Sequence, residues 1–135
     1  MIEYLSKNNL SDFEKLFNKS LKKHEFEDIR LSENQKCILL CKEGSNYVGF
    51  LEGIINKDSI TNKDVGVIMA VYVLPSYRNE GKAYSMITEF ENWIKQNNCK
   101  NIVVAMSAKN KKSLDFFEKI AFENVCTCVC MKKSI

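Results

Sequence analysis

The chain has 135 residues, 45% of them hydrophobic and 27% charged, which suits one ordinary globular domain with a real core. A formal charge of +3, with 20 basic residues scattered among 17 acids, provides no concentrated basic face and excludes a nucleic-acid module. No apolar run approaches the roughly 20 residues that cross a bilayer, so no membrane attachment is expected. The opening MIEYLSKNNL lacks the apolar stretch of a secretory signal, so a cytoplasmic protein is expected.

In chain order, IEYL can make a short first strand. Ser11 and Glu14 have capping-box spacing, and Phe13, Leu16, Phe17 and Leu21 then share one helical face. HEFEDIRLSENQ is polar and irregular, read as a second short helix plus loop, with His24 on the surface. KCILLCKEGSNYVGFLEGII reads as two strands joined at Glu43-Gly44-Ser45-Asn46, a hairpin, and NKDSITNKD as a turn-rich loop. VGVIMAVYV is nearly all apolar and predicts a third long strand buried on both faces.

Pro75, the only proline, ends that strand. A helix over residues 81–97 follows, with Ala83, Met86, Ile87, Phe90 and Ile94 inward. NIVVAMS reads as another buried strand. A helix over 111–120 turns Leu114 and Phe117 inward, and ENVCTCVCMKK ends the chain as a strand. With no repeat or linker, this order describes a single α/β domain over residues 1–135, its central strands under helices.

Six cysteines raise the question of disulfides or a metal. Cys126, Cys128 and Cys130 alternate, as strand residues do, and neighbours two apart on one strand are badly placed to bridge. Zinc sites use wider spacing, so reduced thiols acting as small hydrophobes, and no metal, are expected.

The junction after Pro75 carries chemistry. A helix N-terminus leaves unpaired N–H groups and a partial positive charge, an anion site in itself. Gly81 removes the Cβ there, Arg78 and Lys82 add charge, and Ala83 keeps the next turn small, with Asn79 and Glu80 completing the loop. The stretch is neither GxGxxG nor a Walker loop, which disfavours dinucleotides and nucleoside triphosphates. An ordinary strand–helix turn with solvated cations would look the same in isolation.

Its context carries a resemblance. V-x-P-x-x-R-x-x-G-x-A is matched by Val73, Pro75, Arg78, Gly81 and Ala83, and N-x-x-[AS]-x-x-F-[YF]-x-x-x-[GA]-F by Asn110, Ser113, Phe116, Phe117, Ala121 and Phe122. On these motifs the chain resembles the GCN5-related N-acetyltransferases (GNAT), and its element order is similar throughout. The resemblance implies a mixed, mostly antiparallel central sheet flanked by helices, and acetyl-CoA as co-substrate. It implies that residues 78–83 cradle the diphosphate through backbone amides, with Asn110, Ser113 and Phe117 at the cofactor from the second motif. The pantetheine arm would lie where the strands of Val73 and Val103 splay apart, and an N–H near Tyr72 or Val73 would polarise the thioester. Many relatives have tyrosine at Phe117 as acid to the departing thiolate; phenylalanine cannot serve, and Tyr72 or Tyr84 is left as a substitute. Ala121 stands where glycine is usual, tolerable if its φ is negative.

The acceptor amine must lose a proton. Glu52 is the only acid within the apolar strand YVGFLEGII and is the candidate base; the alternative is an acid facing water. Asp58 and Asp64 are weaker candidates for holding a cationic acceptor. V-G-F-x-E followed by a polar loop and the V-x-P-x-x-R strand resembles the aminoglycoside 6′-N-acetyltransferases, although Met69 stands where those often have another glutamate. The expectation is an N-acetyltransferase acting on a small-molecule primary amine, with an aminoglycoside-like acceptor favoured, and assembled as a homodimer. A peptide or protein N-acetyltransferase and a CoA-binding module without catalysis are the alternatives.

Overall fold

The computed structural model describes residues 1–21, 35–57, 62–127 and 129–135. Their backbone falls into two compact units, Met1–Val104 and Ala105–Ile135. The expectations placed on His24, on Asp58, on Cys128 and on a helix after residue 21 lie outside the described residues.

The first unit is a five-stranded sheet in sequential order, β1 to β5. The strands are β1 (Ile2–Tyr4), β2 (Lys36–Glu43), β3 (Asn46–Lys57), β4 (Asp64–Val73) and β5 (Ile102–Val104). All neighbours pair antiparallel except β4 and β5, which are parallel. The hairpin between β2 and β3 forms as its sequence predicts, with Gly44 at φ +62°. Such a left-handed turn residue suits the twist of the two strands it joins.

Helix α1 (Leu10–Leu21) covers one sheet face, where Phe13 and Leu16 pack with Leu40 and Phe50. It begins before Ser11, with the Phe13 N–H bonded to the Asn9 carbonyl at 3.0 Å, so the expected capping box is not used. Asn9 instead accepts from the Ser6 N–H through Oδ1 at 2.8 Å and donates to the Tyr4 carbonyl at 3.1 Å, fixing the turn from β1. Helix α2 (Lys82–Gln96) buries Met86, Ile87, Phe90 and Ile94, as expected, with Ala83 only partly covered. Its close approach to the sheet requires glycine opposite: a Cβ on Gly53 would stand 2.3 Å from the Phe90 ring.

Two strand expectations are corrected. NIVVAMS yields only three strand residues, and Val103 is 43% exposed rather than buried. ENVCTCVCMKK forms no strand among its described residues, and Val125, Val129 and Met131 are exposed. A segment becomes a strand only where a partner takes up its N–H and C=O groups.

The second unit contains α3 (Lys111–Lys119), with Leu114, Phe116 and Phe117 partly buried on one stripe. The Asn110 side chain caps it by accepting the Ser113 N–H at 3.2 Å. Among the described residues no helix is long and apolar enough to cross a membrane.

Candidate active site

The site is built on the unequal lengths of β4 and β5. The parallel pairing runs from Gly66↔Ile102 to Ile68↔Val104, and β4 then continues to Val73. The Leu74 N–H bonds to the Val48 carbonyl at 2.8 Å, which sets the alternation of the antiparallel ladder. Tyr72, opposite Phe50, therefore directs its backbone groups to β3, whereas Val71 and Val73 direct theirs outward. Between the two possible thioester donors at Tyr72 and Val73, the outward N–H belongs to Val73.

The open edge leads into a turn and then a helix end. A 3₁₀ turn at Pro75–Tyr77 breaks the strand, and Asn79 (φ +64°) and Gly81 (φ +81°) are both left-handed. Gly81 is the N-cap of α2, and no side chain caps the helix. The first helical bond is from the Ser85 N–H to the Gly81 carbonyl, at 3.0 Å. The N–H groups of Lys82, Ala83 and Tyr84 thus precede the first intrahelical donor, the condition for anion binding. A Cβ on Gly81 would meet nothing within 4 Å, so the space before these amides is open.

The two cations of the loop are turned to other tasks. Arg78 Nε donates to the Val73 carbonyl at 2.8 Å, and its guanidinium lies 5.6 Å from the Tyr72 ring centroid. Lys82 Nζ lies 3.4 Å from Glu43 and 3.8 Å from Glu80. Glu43, expected only as a turn residue of the β2–β3 hairpin, is far away in the chain, and no local pattern marks it as a partner of Lys82.

Glu52 is buried, 4% exposed, between its register partners Ile38 and Ala70. That excludes the reading of an acid facing water. Cross-strand partners share a face, so Glu52 and Tyr72 lie on the same side of the sheet as Phe50, the side that α1 packs against. Tyr84 is 54% exposed in the first turn of α2. Asp64 is exposed at the start of β4. In the second unit, the Asn110 oxygen is engaged as a helix cap, Ser113 is the residue it caps, and Phe117 packs with Phe116 and Phe122 at 5.1 Å each.

Other features stand apart from this chemistry. A cavity of about 340 Å³ is lined by Tyr4, Leu5, Lys36, Cys37, Ile38 and Trp93, near the β1 end of the sheet. Burial pushes the Cys37 thiol up to about 12, with nearby Glu89 adding to it. Tyr4, whose hydroxyl donates to Glu89 at 2.8 Å, is likewise raised to about 12, by burial first. Among the described residues no group of His, Cys, Asp and Glu is arranged to hold a metal.

Comparison with known proteins gives the arrangement its family. AAC(6′)-Iy, an aminoglycoside N-acetyltransferase solved in complex with CoA, superposes with a TM-score of 0.83 at 20% identity, over 100% of both chains. The aminoglycoside antibiotic 6′-N-acetyltransferase AAC(6′)-IG from Acinetobacter haemolyticus has a TM-score of 0.80 at 25% identity, over 100% of this chain and 99% of its own. An uncharacterized N-acetyltransferase of Bacillus subtilis (strain 168), YhfO, is 21% identical over 94 residues, 70% of this chain. That match spans 63% of YhfO, under two thirds of its length. The family model described as acetyltransferase (GNAT) family matches residues 2–122, and the chain belongs to that family.

Proposed function

We propose that the chain is an acetyl-CoA-dependent N-acetyltransferase acting on a primary amine of a small molecule, with an aminoglycoside-like amino sugar as acceptor. The observation that carries this is the pair of outward donor sets, the Val71 and Val73 N–H groups on the open edge of β4 and the Lys82, Ala83 and Tyr84 N–H groups at the uncapped start of α2. An extended pantetheine arm has amide groups to pair with Val71, and a diphosphate suits the N–H groups of residues 82–84. The similarly folded AAC(6′)-Iy was solved with CoA, which supports CoA as the class of ligand. The aminoglycoside acetyltransferases among the similar folds favour the acceptor class.

In the reaction the amine nitrogen attacks the thioester carbonyl carbon, the C–N bond forms and the C–S bond breaks. Charge developing on the carbonyl oxygen is met by the Val73 N–H, a fixed donor of the kind that stabilises oxyanions. Glu52 takes the proton lost by nitrogen; its burial suits a base that must exchange a proton away from bulk water. The CoA sulfur leaves as thiolate without an acid, which Phe117 cannot be. An alkyl thiol of pKa about 8.5 is already a fair leaving group.

A thiol-release assay against aminoglycosides, polyamines and peptides tests the reading. Turnover with an amino sugar is expected. Glu52→Gln should lower kcat roughly 10²–10⁴-fold and remove the rise of rate with pH that a general base produces. Acetyl-CoA affinity should be nearly unchanged. Full activity in that variant would move the base elsewhere, and no release with any amine would favour a CoA-binding module.

A further inference from the structure

Arg78 belongs to the cofactor loop, yet its side chain points back along the chain. Its Nε hydrogen bond to Val73 closes a ring of backbone from the end of β4 to the residue before Asn79. Its guanidinium also covers Tyr72, whose ring lies 6.1 Å from Phe50 on the face that carries Glu52. One side chain therefore touches the strand end that bears the outward Val73 N–H, the turn that sets up α2, and the acceptor face of the sheet. Lys82, the other cation of the loop, is held by Glu43 and Glu80 and is only 15% exposed.

We infer that Arg78 is a positioning residue and not a phosphate ligand. It holds the Val73 peptide and the Tyr72 ring in place relative to the start of α2 and leaves the diphosphate to backbone N–H groups. The inference rests on the acetyl-CoA reading above. The physical reason is that a guanidinium donates in its plane while stacking with its face, so one group makes both contacts at once. The carbonyl and N–H of Val73 point to the same side of the strand. A slip at the carbonyl shifts the donor as well, and a misplacement of about 1 Å can cost about 10²-fold in rate.

Two substitutions separate positioning from charge. Glutamine puts an N–H donor at the same place along the side chain as Arg Nε and removes the charge. Lysine keeps the charge and puts a methylene there. Arg78→Ala and Arg78→Lys should lower kcat about tenfold or more, measured by thiol release with the most active amine of the panel. Acetyl-CoA affinity by calorimetry should change less than about threefold in both, and Arg78→Gln should recover most of the lost rate. The opposite pattern, with lysine keeping acetyl-CoA affinity and glutamine losing it tenfold or more, overturns the inference and makes Arg78 a phosphate ligand. Nitrogen-15 NMR of the free protein supplies an independent readout: a slowly exchanging Arg78 Nε–H is expected. A freely exchanging one overturns the inference whatever acetyl-CoA does. A protected Nε–H in a protein that fails to bind acetyl-CoA overturns the proposed function instead.

Discussion

Ala121 closes α3 in a conformation that favours glycine. Its φ is +73°, so the condition for alanine to be tolerated there, a negative φ, is not met. The Ala121 N–H bonds to the Glu118 carbonyl at 3.1 Å and the Phe122 N–H to the Phe117 carbonyl at 2.9 Å. With the Phe117 and Phe122 rings 5.1 Å apart, this is the paired-bond helix ending that places a left-handed residue just after the cap. A Cβ in that region costs about 1–2 kcal/mol, partly offset by the extra chain entropy a glycine loses on folding. Ala121→Gly should therefore raise stability by about 0.5–1 kcal/mol in a urea titration. A loss of stability would mean that the bonded turn is not formed in solution. At Gly81 φ is +81° with open space ahead, so any side chain placed there carries the same backbone strain. Gly81→Asp adds both backbone strain and a carboxylate before the amides of α2. Acetyl-CoA binding should vanish in calorimetry while the circular dichroism stays folded, and an unchanged affinity would remove the anion site.

At the level of elements, the β2–β3 hairpin and the buried face of α2 were readable because their signals are local. The hairpin needed only its turn residues, and α2 buries Met86, Ile87, Phe90 and Ile94 at helical spacing. What was not readable depends on partners distant in sequence: how far β5 runs beside β4, where Arg78 turns, and which acid reaches Lys82. The exclusion of water from Glu52 is of the same kind, since Ile38 and Ala70 flank it only once three strands pair. The β1–β2–α2 region also has a pH signature. Cys37 rises from 9.0 to about 12 and Tyr4 from 10.0 to about 12, so folding favours the neutral form of each. Their contribution to stability is fully present below the unfolded values, and it is lost as the pH rises from about 9 toward 12. The urea midpoint should fall across that range, and less steeply in Cys37→Val. A flat profile would mean that the thiol is solvated. In the folded protein at neutral pH, buried Cys37, Cys41 and Cys99 should resist alkylation.

For the whole molecule, the last segment presents the sharpest problem. Residues 123–133 alternate and are rich in apolar side chains, a pattern for a strand, yet the described ones form none. Val125 and Val129 are 84% exposed and Met131 is 92% exposed. In a single chain this leaves the apolar side chains of Val125, Val129 and Met131 in water. The charges lie mainly at the segment's ends, so little protects its centre. A second copy is the simplest cover, because two identical segments related by a two-fold axis satisfy each other and close the assembly. We therefore predict a homodimer in which residues 125–131 lie at the subunit contact. Light scattering at micromolar concentration should return twice the 15.6 kDa chain mass. Val129→Lys should shift the particle toward the single chain, and Cys126 and Cys130 should react with iodoacetamide faster in that variant than in the wild type. A wild-type particle of 15.6 kDa, or equal alkylation rates in the two proteins, would rule this interface out.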